Sequence, residues 1–201
     1  LTEKLCTTEQ TLYRRGNFMG TWDQVLVNSL REEHDADFAM SAGVRWGTSV
    51  PAGHDVTMED LMTNTSMTYG ETYVNELKGS QLKDILEGIA ENLFVQDPYL
   101  QSGGDMVRMG GLDYTIDPAA GLGDRISNIT DDEGTPLDPN KSYKVSGWAQ
   151  VGSVGNGRLM WDVAADYLRK QKHLDLKKFN HPTIKGVKNN PGIENYNGNL
   201  I

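Results

Sequence analysis

The residues of this sequence best suited to holding a charged ligand stand at the end of one apolar run. In "DADFAMSAGVRWG" the apolar stretch closes on Gly43, Arg45 and Trp46. An arginine fork offers paired N–H donors that match two oxygens of a phosphate or sulfonate. A tryptophan beside it can wall a pocket or stack on the guanidinium. The competing reading is an arginine paired with one of the 28 acidic residues of the chain.

A second block, "SGGDMVRMGGLDYTID", sets Met106, Arg108, Met109 and Tyr114 among glycines. It reads either as a docking groove or as a hairpin with methionines in the core. It is not a phosphate loop, because no Gly-Lys-Ser/Thr follows the glycines. There is no GxSxG elbow. The histidines at 34, 54, 173 and 181 have no metal-ligand spacing, so metal chemistry is not expected from this stretch of chain. Cys6 is the single cysteine, which excludes an internal disulfide.

The 201 residues suffice for one large domain, and the net charge of −9 argues against a nucleic-acid surface. No apolar run approaches the roughly 18 residues of a membrane span, so no membrane partner is expected. The chain opens on Leu1, which suggests a fragment or processed product.

The elements that must position these residues follow from periodicity. Residues 1–20 read as an extended lead-in. Thr21 is a candidate N-cap for a helix "WDQVLVNSLREEH", with Trp22, Val25, Leu26, Ser29 and Leu30 on one face. "ADFAMSA" reads as a buried strand, "SVPAGHD" as a loop, and "TMEDLMT" as a short helix with Thr57 and Asp60 in a capping relation. "GETYVNELKG" reads as a strand, and Ser80 as the cap of "QLKDILEGIAENLF". The stretch after residue 97 is strand-rich, with turns at "DDEG" and "DPNK". "SVGNG" breaks the chain before a last amphipathic helix, "RLMWDVAADYLRKQ". Residues 174–201 form a tail with little periodicity. Helices and strands mix without regular alternation, which favours α+β over a doubly wound sheet.

The ordered landmarks "DADFAMSAGVRWG", "VTMEDL", "LKGSQLKDILE", "LQSGG", "DYTID", "GDRISNI" and "DEGTPLDPNKSYKVSG" resemble the C-terminal domain of the 5′-nucleotidase family, over about Thr21 to Gly152. The resemblance implies a single substrate-binding domain over 21–173 with a mixed sheet and packed helices. It also implies a preceding metallophosphoesterase domain that carries the metals. The family motif NGGGIR falls on "MSAGVR", placing a substrate-binding arginine at Arg45 and leaving Met40 where the family has asparagine. Two aromatic rings that hold a nucleobase in this family are replaced, one by Met67 and the other by Arg158.

The flanks "LYRRGNFMGTWDQVL", "GWAQVG", "LMWDVAADYLRKQK" and "IKGVKNNPGI" resemble the SoxB branch, the thiosulfohydrolases of periplasmic sulfur oxidation. That resemblance implies two manganese ions in the preceding domain and none in this one, with the SoxYZ carrier as partner. The implied substrate is a cysteine S-sulfonate on the SoxYZ carrier arm. Gly43, Arg45, Trp46, Met67, Tyr69, Met106, Arg108 and Tyr114 become the candidate substrate-binding residues, with no catalytic residue here. An ordinary nucleotidase or UDP-sugar phosphoesterase domain and a non-catalytic carrier-docking module are the alternatives.

Overall fold

A computed structural model describes residues 1–14, 18–150 and 157–186. Among these residues four helices pack with ten short strands in three small sheets, an α+β fold. The sheet that matters most for the site orders β4 (Thr72–Lys78), β8 (Ser142–Trp148), β2 (Phe38–Ser41) and β5 (Arg108–Gly110) side by side. Strand β2 lies inside this sheet, parallel to β8 and antiparallel to β5. All four residues of "FAMS" are buried, as expected of a strand covered on both faces.

Helix α1 (Thr21–His34) packs its apolar face against β2, β5 and helix α4 (Met160–Gln171). Trp22, Val25, Leu26 and Leu30 are buried, as their helical spacing requires. The N-cap is Gly20, not Thr21. The Thr21 hydroxyl instead donates to the Thr11 carbonyl and accepts from the Tyr13 N–H, tying the incoming chain to the helix start. Asp23 completes the turn by accepting from the Gly20 N–H at 2.9 Å. Helix α2 (Met58–Thr65) begins at the expected Thr57–Asp60 capping box. Helix α3 (Gly79–Phe94) starts one residue before Ser80, with Lys78 as cap and Gln81 closing back on its N–H.

Residues 1–20, expected as a lead-in, are instead part of the fold as far as they are described. They supply β1 (Lys4–Thr8), which pairs with β3 (Asp55–Thr57) and β9 (His173–Leu174). Leu5, Cys6 and Leu12 join the core around α1 and α4. A strand this short is stabilised by partners about 50 and 165 residues away, which local periodicity does not reveal. The described part of the tail is also anchored. Leu174 and Leu176 enter the first core, and β10 (Thr183–Ile184) pairs with β6 (Leu112–Ile116). β6 pairs on its other side with β7 (Ile126–Asp131). A second core lies between α3 and the strands β5 to β8. The "DDEG" and "DPNK" turns connect β7 to β8 as expected. The "SVGNG" break up to Asn156 and the tail beyond residue 186 lie outside the described residues.

Candidate functional site

Beyond the end of β2 the chain passes Ala42 and Gly43 along one wall of a hollow of about 530 Å³. Met40, Ser41, Tyr73, Trp148 and Asp105 line it, with Ile85, Ile89 and Asn92 of α3 on the far side. Gly43 is required there by closeness. A Cβ at Gly43 would stand 2.6 Å from the Asp105 Cβ and 2.8 Å from the Met106 carbonyl oxygen. The glycine therefore lets the segment 105–108 run hard against the end of β2. Opposite it, Gly103 and Gly104 adopt φ of +73° and +97°, a conformation that side chains resist. They turn the loop so that Asp105 faces Arg45.

Arg45 is not among the residues lining this hollow; it is paired with Asp105, which is, and its side chain is 62% exposed. Its Nε is 3.2 Å from both Asp105 oxygens, and its Nη2 donates to the Gly104 carbonyl at 2.9 Å. The arginine is thus paired with an acid that lines the hollow. Trp46, 45% exposed, does not stack on Arg45. Its ring faces Arg14 instead, whose guanidinium carbon is 5.9 Å from the Trp46 centroid and 5.5 Å from that of Trp148. Trp148 is further fixed by its Nε1–H donating to Ser41 Oγ at 2.8 Å.

Arg14 begins a chain of alternating charges that runs from the interior to Arg45. Its Nε is 3.2 Å from Asp23 Oδ1, and the other Asp23 oxygen is 3.1 Å from Arg108 Nε. Arg108 Nη2 lies 3.7 Å from Asp105, which holds Arg45. Arg14 also donates to the carbonyls of Asn64 and Ala42, so it braces the backbone beside the hollow. Burial pushes the Asp23 carboxyl up, while Arg108, Arg14 and the Gly20 N–H pull it back. Burial likewise pushes the Arg14 guanidinium down, against the pull of Asp23.

The remaining candidates are placed differently from the sequence expectation. Met106 and Tyr114 are sealed in the second core, so the proposed groove between residues 106 and 114 is filled core, where the chain passes from β5 in one sheet to β6 in another. Its apolar residues face inward because β5 and β6 are covered, and burial pushes the Tyr114 hydroxyl far up. Arg108 is fully buried against Asp23 and serves the charge chain rather than a groove. Met67 is half-buried and packs against the first core, and Tyr69 is half-buried and is not among the residues lining the hollow. Arg158, in the place of a base-stacking ring, is exposed and paired with Asp166.

Sequence reasoning missed Asp105, Arg14 and Tyr73. Asp105 was visible as the end of "SGGD", but nothing local paired it with an arginine 60 residues away. Tyr73 lies over Gly147, where a Cβ would meet its hydroxyl at 2.3 Å. Among the described residues no group of three or more His, Cys, Asp or Glu side chains can hold a metal ion. No helix among them is long and apolar enough to cross a membrane. The guanidinium of Arg45, paired with Asp105, is chemically suited to an anionic group.

Comparisons with known proteins agree with this fold. Over 94% of the chain, the fold superimposes on the sulfate thiohydrolase SoxB of Thermus thermophilus with a TM-score of 0.84 and 34% identity, covering 36% of that chain. A 5′-nucleotidase precursor, also from Thermus thermophilus, shares the fold with a TM-score of 0.71 and 16% identity, over 92% of this chain and 40% of that one. Among curated proteins, UshA of Yersinia enterocolitica is 25% identical over 171 residues, 78% of this chain and 28% of UshA. The chain therefore spans between about a quarter and two fifths of these relatives. The family described as 5′-nucleotidase, C-terminal domain, matches residues 6–164, and this chain belongs to it.

Proposed function

We propose that this chain is the substrate-binding domain of a SoxB-type thiosulfohydrolase. It holds a cysteine S-sulfonate carried by SoxYZ while a preceding metallophosphoesterase domain, with two manganese ions, hydrolyses it in the periplasm. The observation that carries this reading is the 34% identity with SoxB across 94% of the chain. The fold likeness to nucleotidases, by contrast, comes at 16–18%.

The local chemistry supports the same choice. A sulfonate carries a full negative charge on three oxygens and is met well by a guanidinium. Arg45 is such a group, exposed and paired with Asp105, a lining residue of the hollow. A nucleobase needs free aromatic faces, and stacking on one contributes about 1–3 kcal/mol. The rings lining the hollow are Tyr73 and Trp148. Trp148 is already engaged by Arg14 and Ser41, and Tyr73 lies against its own sheet at Gly147. In the whole enzyme Arg45 holds the sulfonate, Gly43 keeps the wall close, and Asp105 lies beside the anion without meeting it.

The test is Arg45→Ala in the whole protein. The proposal expects kcat/KM for sulfate release from an S-sulfonated cysteine peptide to fall at least tenfold, a loss of about 1.4 kcal/mol in transition-state binding. An unchanged value would remove Arg45 from the site.

A further inference from the structure

The contacts of Arg45 contain more than an anion-binding residue. A guanidinium has a side edge, Nε with Nη2, and an end edge, Nη1 with Nη2, and each can take two oxygens of an anion. Asp105 occupies the side edge of Arg45. Both of its oxygens lie 3.2 Å from Nε, and Oδ1 is 3.1 Å from Nη2. The Gly104 carbonyl takes a further Nη2 proton at 2.9 Å. Among the described residues Nη1 has no hydrogen-bond partner, so its N–H groups are the donors left open.

Asp105 is itself held. Its side chain is only 16% exposed, and the fully buried Arg108 stands 3.7 Å away. Arg108 is fixed in turn by Asp23 and by donating to the Met106 carbonyl at 2.8 Å. Gly43 admits the Asp105 Cβ to a distance that any side chain would block. The carboxylate is therefore anchored from the interior, while the arginine it orients is exposed. An exposed ion pair adds about 0–1 kcal/mol to stability, too little to explain so elaborate a support as a fold-stabilising device. Three arginines also outnumber two aspartates along the chain of contacts, so the acid beside Arg45 does not cancel the positive character of the cluster.

We propose that Asp105 is a positioning residue, which occupies the side edge of Arg45 and thereby commits its Nη1 donors to the anionic tip of the substrate. This rests on the reading of Arg45 as the sulfonate-holding group. Loss of the carboxylate frees the long arginine side chain to sample other rotamers, so the anion meets it less often in the productive orientation. The effect appears in kcat/KM and disappears when Arg45 is absent.

The test is a double-mutant cycle in the whole protein, assayed by sulfate release from an S-sulfonated cysteine peptide. The variants are Asp105→Asn, Asp105→Glu, Arg45→Ala and Asp105→Asn with Arg45→Ala. A thermal melt of each confirms folding, and the Arg45 Nε–H resonance reports whether the side edge is still engaged. Asp105→Asn is expected to lower kcat/KM about fivefold to tenfold and to shift that resonance. Asp105→Glu should recover part of the loss. The double variant should lie within twofold of Arg45→Ala alone, because energies of residues acting through one another do not add. If Arg45→Ala lowers kcat/KM but Asp105→Asn does not, or if the two losses multiply, the positioning role is overturned and the sulfonate reading stands. If Arg45→Ala itself has no effect, both fall together. Should Asp105→Asn not fold, Asp105→Glu carries the test: a partial loss of kcat/KM that disappears in the Arg45→Ala background supports the role, and wild-type activity or a loss that multiplies with that of Arg45→Ala overturns it.

Discussion

Arg108 Nε lies 3.1 Å from Asp23 Oδ2, and neither side chain is exposed to solvent. The same carboxylate meets Arg14 through its other oxygen. A charge removed from such a place strands its partners in a poorly solvating interior, which typically costs about 3–5 kcal/mol. Asp23→Ala is therefore expected to lower the urea midpoint by an amount equivalent to about that loss. Arg45→Ala, at the exposed end of the same chain of charges, should change stability by less than about 1 kcal/mol. Equilibrium unfolding of the two variants side by side checks the contrast.

Gly43 makes a separate prediction because its role is one of space. A methyl at this position would stand 2.6 Å from the Asp105 Cβ. Gly43→Ala should displace the 105–108 segment and cost about 1–3 kcal/mol by overpacking. It should also weaken substrate capture, since Asp105 would no longer meet Arg45 in register. Amide shifts of residues 103–108, measured with kcat/KM of the whole protein, test both parts.

Cys6 sits within β1 in the first core, and burial pushes its thiol up to about 11. The thiolate is the reactive form, so the folded protein at pH 8 should resist a disulfide reagent. Labelling is expected to appear only with global unfolding and to follow the same denaturant curve as the far-ultraviolet signal. Rapid labelling of the native protein would contradict the burial of β1.

Asp132 fastens the described tail. Burial raises its carboxyl, but Asn180, Lys178 and Arg31 donate to it and outweigh that effect, so it lies below its ordinary value of 3.8. A carboxylate lowered in the folded state contributes stability that is fully present above the unfolded value and is lost as pH falls through the folded one. The contacts of residues 178–180 should thus hold at pH 5 and loosen below about 3.8. Hydrogen exchange at the Asn180 amide, which donates to Gln24, should show that loss once intrinsic pH dependence is removed. Asp132→Asn should show weaker protection already at pH 7.

Which features the sequence made legible follows from the range of the forces that set them. Helices α1, α3 and α4 were readable because Leu82, Leu86 and Val163, for example, recur at helical spacing within one turn or two. The Thr57 cap was readable because its partner is three residues away. Arg108 was misplaced because its partner Asp23 is 85 residues distant, and a buried arginine among glycines looks locally like a loop residue. Met106 and Tyr114 were misplaced for the same reason, since the glycines around them mark tight turns between covered strands. Strand β1 escaped notice because pairing alone defines it. Arg45 could be singled out from its glycine and tryptophan neighbours, but its orientation depends on Asp105, which no local pattern joins to it.

The most direct test of the sulfonate assignment is a comparison of two substrates with one preparation of the whole protein. Initial rates of sulfate release from an S-sulfonated cysteine peptide and of phosphate release from AMP give a ratio of kcat/KM values. The account expects the sulfonate to be favoured by at least a hundredfold, with the preference falling in Arg45→Ala. A preference for AMP, or equal rates for both, would contradict it and return this domain to the nucleotidases.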